Sequence, residues 1–271
     1  MTRGITFKLA GAWPWRHREL LLVLVTREVA GRYRGSIAGL LWSVFNPLLM
    51  LLVYTVVFSM IFKVRWGGGN DSTSQFALLV FTGLLVFNLF SECICRAPTL
   101  VVNHSNYVKK LLFPLDILPW VTLGAALFHM LMGLIVWFVF HILIFGLPPV
   151  TAVLFPLVLL PLTLLALGLS WFLAALGVYL RDIDQVIGVL MSALLMLSAV
   201  FYPVTALPTA FQPWLYLNPL ALVIESSREV LVWGVVPDIR VWLGQLLAAC
   251  AVAILGRTWF EKTRQGFADV L

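Results

Sequence analysis

The chain has 271 residues, of which 62% are hydrophobic and 11% charged, and its formal net charge is +6. A soluble domain carries about 25% charged residues, so this deficit excludes a water-exposed globule of ordinary shape. The positive balance sits in loops beside apolar stretches, where membrane topology accounts for it and nucleic acid is not the implied partner.

The opening segment, 1–38, is cationic, and within it residues 13–36 carry the apolar patch LLLVLV. As a helix it places Arg16, Glu19, Arg27 and Arg34 on one stripe, which reads as a helix lying at the membrane interface. A basic anchor that only sets topology fits the same residues. The apolar stretch 20–25 is too short for the core of a leader peptide and no A-x-A site follows it, so no cleavable leader is expected.

Beyond this segment, continuous apolar runs recur near 39–62, 76–95, 117–146, 152–180, 186–204 and 239–256. About 20 apolar residues cross a hydrocarbon core ~30 Å thick, and unbroken runs select helices over the alternating strands of a barrel. The expected fold is therefore all-α: one transmembrane domain over 1–271, with a six-span core at 39–256 and a tail at 257–271. Fourteen Lys and Arg flank the spans on one side and four on the other. The positive-inside rule then puts both termini in the cytoplasm.

Two connections are more than turns. Residues 96–116, RAPTLVVNHSNYVKKLLFPLD, lie on the cytoplasmic side and have helical character between Pro98 and Pro114. They suit docking of a soluble partner, with Asn103, Asn106, Tyr107, Lys109 and Lys110 as candidate contacts, and a solvated loop is the alternative. Residues 205–238 are apolar but broken by Pro208, Pro213 and Pro219. Their pieces are too short to cross, so two short re-entrant or interfacial helices are expected between spans five and six. Tyr202, Pro203, Asn218, Pro219, Glu225 and Arg228 mark this segment, with Glu225 and Arg228 expected near a water-filled exit. An outer cap without a transport role would look similar.

Catalytic chemistry is not legible. There is no Gly-Lys pair, so no phosphate-cradling loop of the usual kind, and no zinc or serine-hydrolase motif. Cys93, Cys95 and Cys250 show no metal or redox spacing. Glu92 and Arg96, four apart, form a structural pair on one helix face. His129 and His141 point about 120° apart and read as packing histidines, and Arg181, Asp182 and Asp184 as a solvated turn. Of the 11 Trp, 6 Tyr and 19 Phe, some face lipid and others could stack sugar rings along a passage.

From Arg27 the chain reads REVAGRYRGSIAGLLWSVFNPLLM; NYVKKLLFP follows from Asn106, RDI from Arg181, YPVTALP from Tyr202 and LNPLALVIESSREVL from Leu217. In order and spacing these stretches resemble the polysaccharide-export permeases, the type-2 permeases of ATP-binding-cassette transporters. Arg27, Glu28, Arg32, Tyr33, Arg34, Ser36, Gly39, Trp42, Pro47 and Leu48 take the places of the family's opening motif. The chain departs from the pattern after Phe113-Pro114, where Leu115 and Asp116 replace a basic residue and Glu.

The resemblance implies a transport permease rather than an enzyme, in the bacterial inner membrane, with a second copy of itself and two ATP-binding-cassette subunits as partners. ATP and Mg would be bound by those subunits and no cofactor by this chain. The cargo implied is a lipid-linked glycan of O-antigen, capsule or teichoic-acid type. Its pyrophosphate is expected on Arg27, Arg32, Tyr33 and Arg34, where guanidinium forks suit phosphate oxygens. A secondary transporter of a small solute, or a membrane enzyme of glycolipid metabolism, is the alternative. Either should show intramembrane charge clusters or paired broken helices.

Overall fold

The computed structural model describes residues 17–36, 38–57, 73–105, 113–204, 208–210, 212, 215 and 217–270. Among them every regular element is helical. After α1 (Arg18–Tyr33) the chain turns through Gly35 and Gly39, at φ +85° and +50°. Glycine adopts that left-handed backbone without a Cβ clash. α2 (Trp42–Thr55) follows, with Pro47 in its interior.

The core is organised around α3 (Thr73–Arg96), whose stretch from Phe76 to Phe87 is apolar on nearly every face. Such a helix must be buried on every side. Residues 76–90 are buried with the single exception of Asn88. A 3₁₀ turn at Ala97–Thr99 and the short α4 (Leu100–Asn103) continue from it. α5 (Leu118–Phe145) runs back, about 42 Å at 1.5 Å per residue, and stops at Gly146 with φ +85°. α6 (Phe155–Tyr179) follows a five-residue 3₁₀ turn, and α7 (Ile183–Leu197) spans only about 22 Å. α8 (Pro219–Arg228) is capped by the Asn218 side chain, which accepts from the Leu220 amide, and runs into a π turn at Glu229–Trp233. α9 (Ile239–Thr263) is capped by Asp238, and α10 (Phe267–Val270) ends the described chain. α3 packs against α2, α5, α6, α7 and α8, while α9 packs along α6.

Lipid offers apolar side chains no advantage over one another, so close helix packing in a membrane relies on small residues. The α6–α9 crossing shows this. A Cβ built on Gly168 would lie 2.7 Å from the Ala253 backbone, and one on Gly256 would strike the Gly168 carbonyl. Likewise, Gly177 presses against the backbone of Pro98.

Four of the helical stretches, 74–103, 115–145, 150–179 and 239–270, are long and apolar enough to cross a membrane. They coincide with the second, third, fourth and sixth runs expected from sequence. The first and fifth runs appear as the shorter apolar helices α2 and α7. Of the two short helices expected in 205–238, α8 is present; most of the stretch for the other, 205–216, lies outside the described residues.

Candidate functional site

α1 is joined to the bundle by charge. On α1, Glu28 and Arg32 are one turn apart; on α3, Glu92 and Arg96 are one turn apart. The pairs meet crosswise: Arg96 Nη1 lies 2.6 Å from Glu28 Oε1 and Arg32 Nη1 lies 2.6 Å from Glu92 Oε1. Such crossing requires the two helices to run in opposite senses where they meet. Arg96 Nη2 also reaches Glu92 Oε1 at 3.4 Å, the pair expected from sequence. His129 on α5 completes the network, with Nδ1 2.9 Å from Glu92 Oε2. His129 is thus a hydrogen-bond partner of Glu92 rather than only the packing group its sequence position suggested. His141 does pack, stacked on Trp137 with its Nδ1 3.0 Å from the Gly146 carbonyl.

Two cavities open on either side of this network. The first, about 820 Å³, is lined by Arg27, Arg32, Arg34 and Arg96 with Glu28 as its one carboxylate; Asn103 and His104 are also in the wall. Neither Arg27 nor Arg34 has an ion-pair partner among the described residues. Such a wall carries a net positive field suited to a multiply charged anion. Tyr33 turns the other way, toward the second cavity, with its ring edge-on to His129 at 5.9 Å. Burial pushes its phenol above the ordinary range, so it is a neutral hydrogen-bonding group at physiological pH. Arg27, Arg32 and Arg34 therefore line one cavity, while Tyr33 lines the other, together with Arg32 and Arg96. Asn106, Tyr107, Lys109 and Lys110 lie outside the described residues.

At the opposite end of α3 the structure corrects an expectation. Arg228 does not stand at a water-filled exit: it is fully buried. Its Nε donates to Leu79 O at 3.1 Å, Nη1 to Ala199 O at 3.0 Å and Nη2 to Val200 O at 2.8 Å. Glu225 accepts from Nη1 at 3.1 Å and is itself about one-third exposed. The Leu79 carbonyl belongs to α3, and the other two come from the irregular stretch after α7, where Ala199 has φ +54° and the backbone cannot satisfy itself. Asn218 joins the same region by donating to Ser198 Oγ at 2.9 Å. The Tyr202 hydroxyl donates to Met196 O at 2.8 Å, Pro203 is buried and Pro219 is exposed at the start of α8. These residues build a braced corner.

Residues 19–232 match the family model described as ABC-2 type transporter. The chain belongs to that family. Its similarity extends over nearly its full length to an O-antigen export system permease protein RfbA of Myxococcus xanthus, 29% identical over 94% of this chain and 96% of that one. A Klebsiella pneumoniae protein of the same name is 24% identical over 93% and 95%. The polysialic acid transport protein KpsM of Escherichia coli is 24% identical over 79% and 82%. This ABC-2 chain is accordingly a multi-pass transport permease, with several spanning helices of the lengths given above. Sequence reasoning missed the link from His129 to Glu92. Its available signal was a histidine in the middle of an apolar run, which in a membrane helix marks a partner or a pathway.

Proposed function

We propose that the chain is the membrane subunit of an ATP-driven exporter of lipid-linked polysaccharide, and that the arginine-lined cavity receives the carrier's phosphate groups. The observation that carries this reading is the cavity itself: four arginines against one glutamate beside the end of α1. Arg32 and Arg96 are committed to carboxylates, which leaves Arg27 and Arg34 to engage an anion with paired donors. The relatives named for O-antigen and polysialic acid export support glycan as cargo. The excess of basic residues at this end supports a cytoplasmic placement, with both termini inside and six spans in one domain over 1–271.

In this reading, ATP and Mg are handled by separate subunits, two of them serving a pair of these chains in the bacterial inner membrane. The connector after α3 supports their docking. Asn103 is exposed at the end of α4, where a soluble subunit has access to it.

The test is Arg27→Lys with Arg34→Lys, which keeps charge and loses the fork. The variant is expected to reach the membrane at normal level while surface glycan falls at least tenfold and lipid-linked polymer accumulates inside. Normal surface glycan in that variant would overturn the phosphate site. Deleting the gene without loss of surface glycan would overturn the exporter reading itself.

A further inference from the structure

The seam along which α6 and α9 pack carries two grooves that meet at Val252, which lines both. One extends toward Arg240 and the other toward Lys262, so each ends on a basic residue at one end of α9. At 1.5 Å per residue, Val252 lies about 18 Å along the helix from Arg240 and about 15 Å from Lys262. Half of a hydrocarbon core ~30 Å thick is about 15 Å. The grooves therefore divide near the middle of the membrane, and the two cations stand at the levels of the two headgroup layers.

The groove toward Lys262 has a volume of about 390 Å³, within the ~300–1,000 Å³ typical of ligand sites. Its walls are apolar, and toward the basic end the Phe172 and Trp259 rings meet across the seam, 5.7 Å apart. Two donors at that end are uncommitted. Lys262 is exposed and forms no ion pair among the described residues, whereas its neighbour Glu261 is held by Arg257 at 2.9 Å. The Trp259 indole N–H likewise has no acceptor among the described residues, and the residue is 43% exposed. The other groove differs in charge. Its Arg240 stands two residues from Asp238, whose carboxylate accepts from the Arg240 amide at 2.8 Å, so that rim carries both signs.

We infer that the groove ending at Lys262 binds an anionic phospholipid, with one acyl chain along the α6–α9 seam and the headgroup phosphate on the Lys262 ammonium. Lipid tails are as apolar as the walls, so a chain gains from the groove by dispersion contact, and a concave wall offers more of it than a bare helix face. The cation then selects the headgroup. A basic pocket between spanning helices suits an anionic lipid, while a zwitterionic headgroup brings a second ammonium toward Lys262. The Trp259 N–H is a donor for an ester carbonyl at the chain's upper end, as for tryptophans at membrane interfaces. In the orientation proposed above this lipid belongs to the cytoplasmic leaflet. The site needs neither the glycan nor an ATPase. A lysine that only complements the end of the α9 dipole is the competing account.

The test is native mass spectrometry of the purified full-length protein in detergent, with dioleoyl phosphatidylglycerol or dioleoyl phosphatidylethanolamine added. Phosphatidylglycerol is expected to stay on the protein at collision energies that strip phosphatidylethanolamine. Lys262→Gln should lower the retained phosphatidylglycerol at least fivefold, and Lys262→Arg should keep it. Leu255→Trp fills the groove from a position that is 67% exposed and leaves the cation in place, and it should lower retention as much as Lys262→Gln. Leu243→Trp, at an exposed position of α9 outside both grooves, should change nothing. A lysine acting only on the helix dipole predicts no loss on filling the groove. Equal retention of the two lipids, or phosphatidylglycerol unchanged in either Lys262→Gln or Leu255→Trp, overturns the site. Retention is read on the isolated chain, so its failure leaves the exporter reading standing, and failure of that reading leaves the lipid site standing.

Discussion

Arg228 and Leu79 are 149 residues apart in sequence, yet the guanidinium Nε donates to the Leu79 carbonyl at 3.1 Å. One side chain thereby joins α8, α3 and the irregular stretch after α7. Removing it would leave buried acceptors without donors, which costs about 1–3 kcal/mol for each neutral group. Arg228→Met is therefore expected to destabilise by several kcal/mol, in the way that breaking one partner of a buried pair costs roughly 3–5. Arg228→Lys should recover only part, because an ammonium cannot serve three divergent carbonyls. Thermal unfolding in detergent checks this, and an unchanged midpoint for the methionine variant would refute the brace.

The α6–α9 crossing makes a sharper demand on volume. Gly168→Leu places a branched side chain where the Ala253 backbone already sits. The helices must separate, and overpacking of this kind costs about 1–3 kcal/mol. Gly244, with nothing within 4 Å of a Cβ, is the internal control. Gly244→Leu should leave yield and melting unchanged, while Gly168→Leu lowers both.

The crossed ion pairs of α1 and α3 should be energetically coupled. Each pair is partly exposed, so the individual contributions are small, about 0.2–1 kcal/mol. Shared partners nevertheless make the substitutions non-additive. Glu92→Gln is expected to expose α1 to trypsin more than Glu28→Gln, because Glu92 holds Arg32, Arg96 and His129 together while Glu28 holds Arg96 alone. Equal proteolysis rates would show that α1 is held by packing of Val25 on Gly124 instead.

Membrane sidedness has a direct readout. Asn103→Cys, after replacement of the three native cysteines, should react with a membrane-impermeant maleimide only in inverted vesicles. Labelling in intact cells would reverse the orientation drawn from the basic residues.

The outlines of the four long spanning helices were legible in the sequence, because apolarity over about 20 residues is a local property and lipid imposes it on each helix separately. The opening arginines were legible as a group for the same reason: they are neighbours in the chain. The role of Arg228 was not legible. Its position in a proline-broken outer segment suggested water, and only packing of three remote stretches decided that it is buried against carbonyls. Nor was the network of Glu92. Arg32 lies 60 residues from it and His129 lies 37 residues on the other side. A helical period tells which residues share a face, and it fixes Glu92 beside Arg96. Which foreign helix meets that face, and in which register, depends on how all the buried faces pack together, and that is settled only in three dimensions.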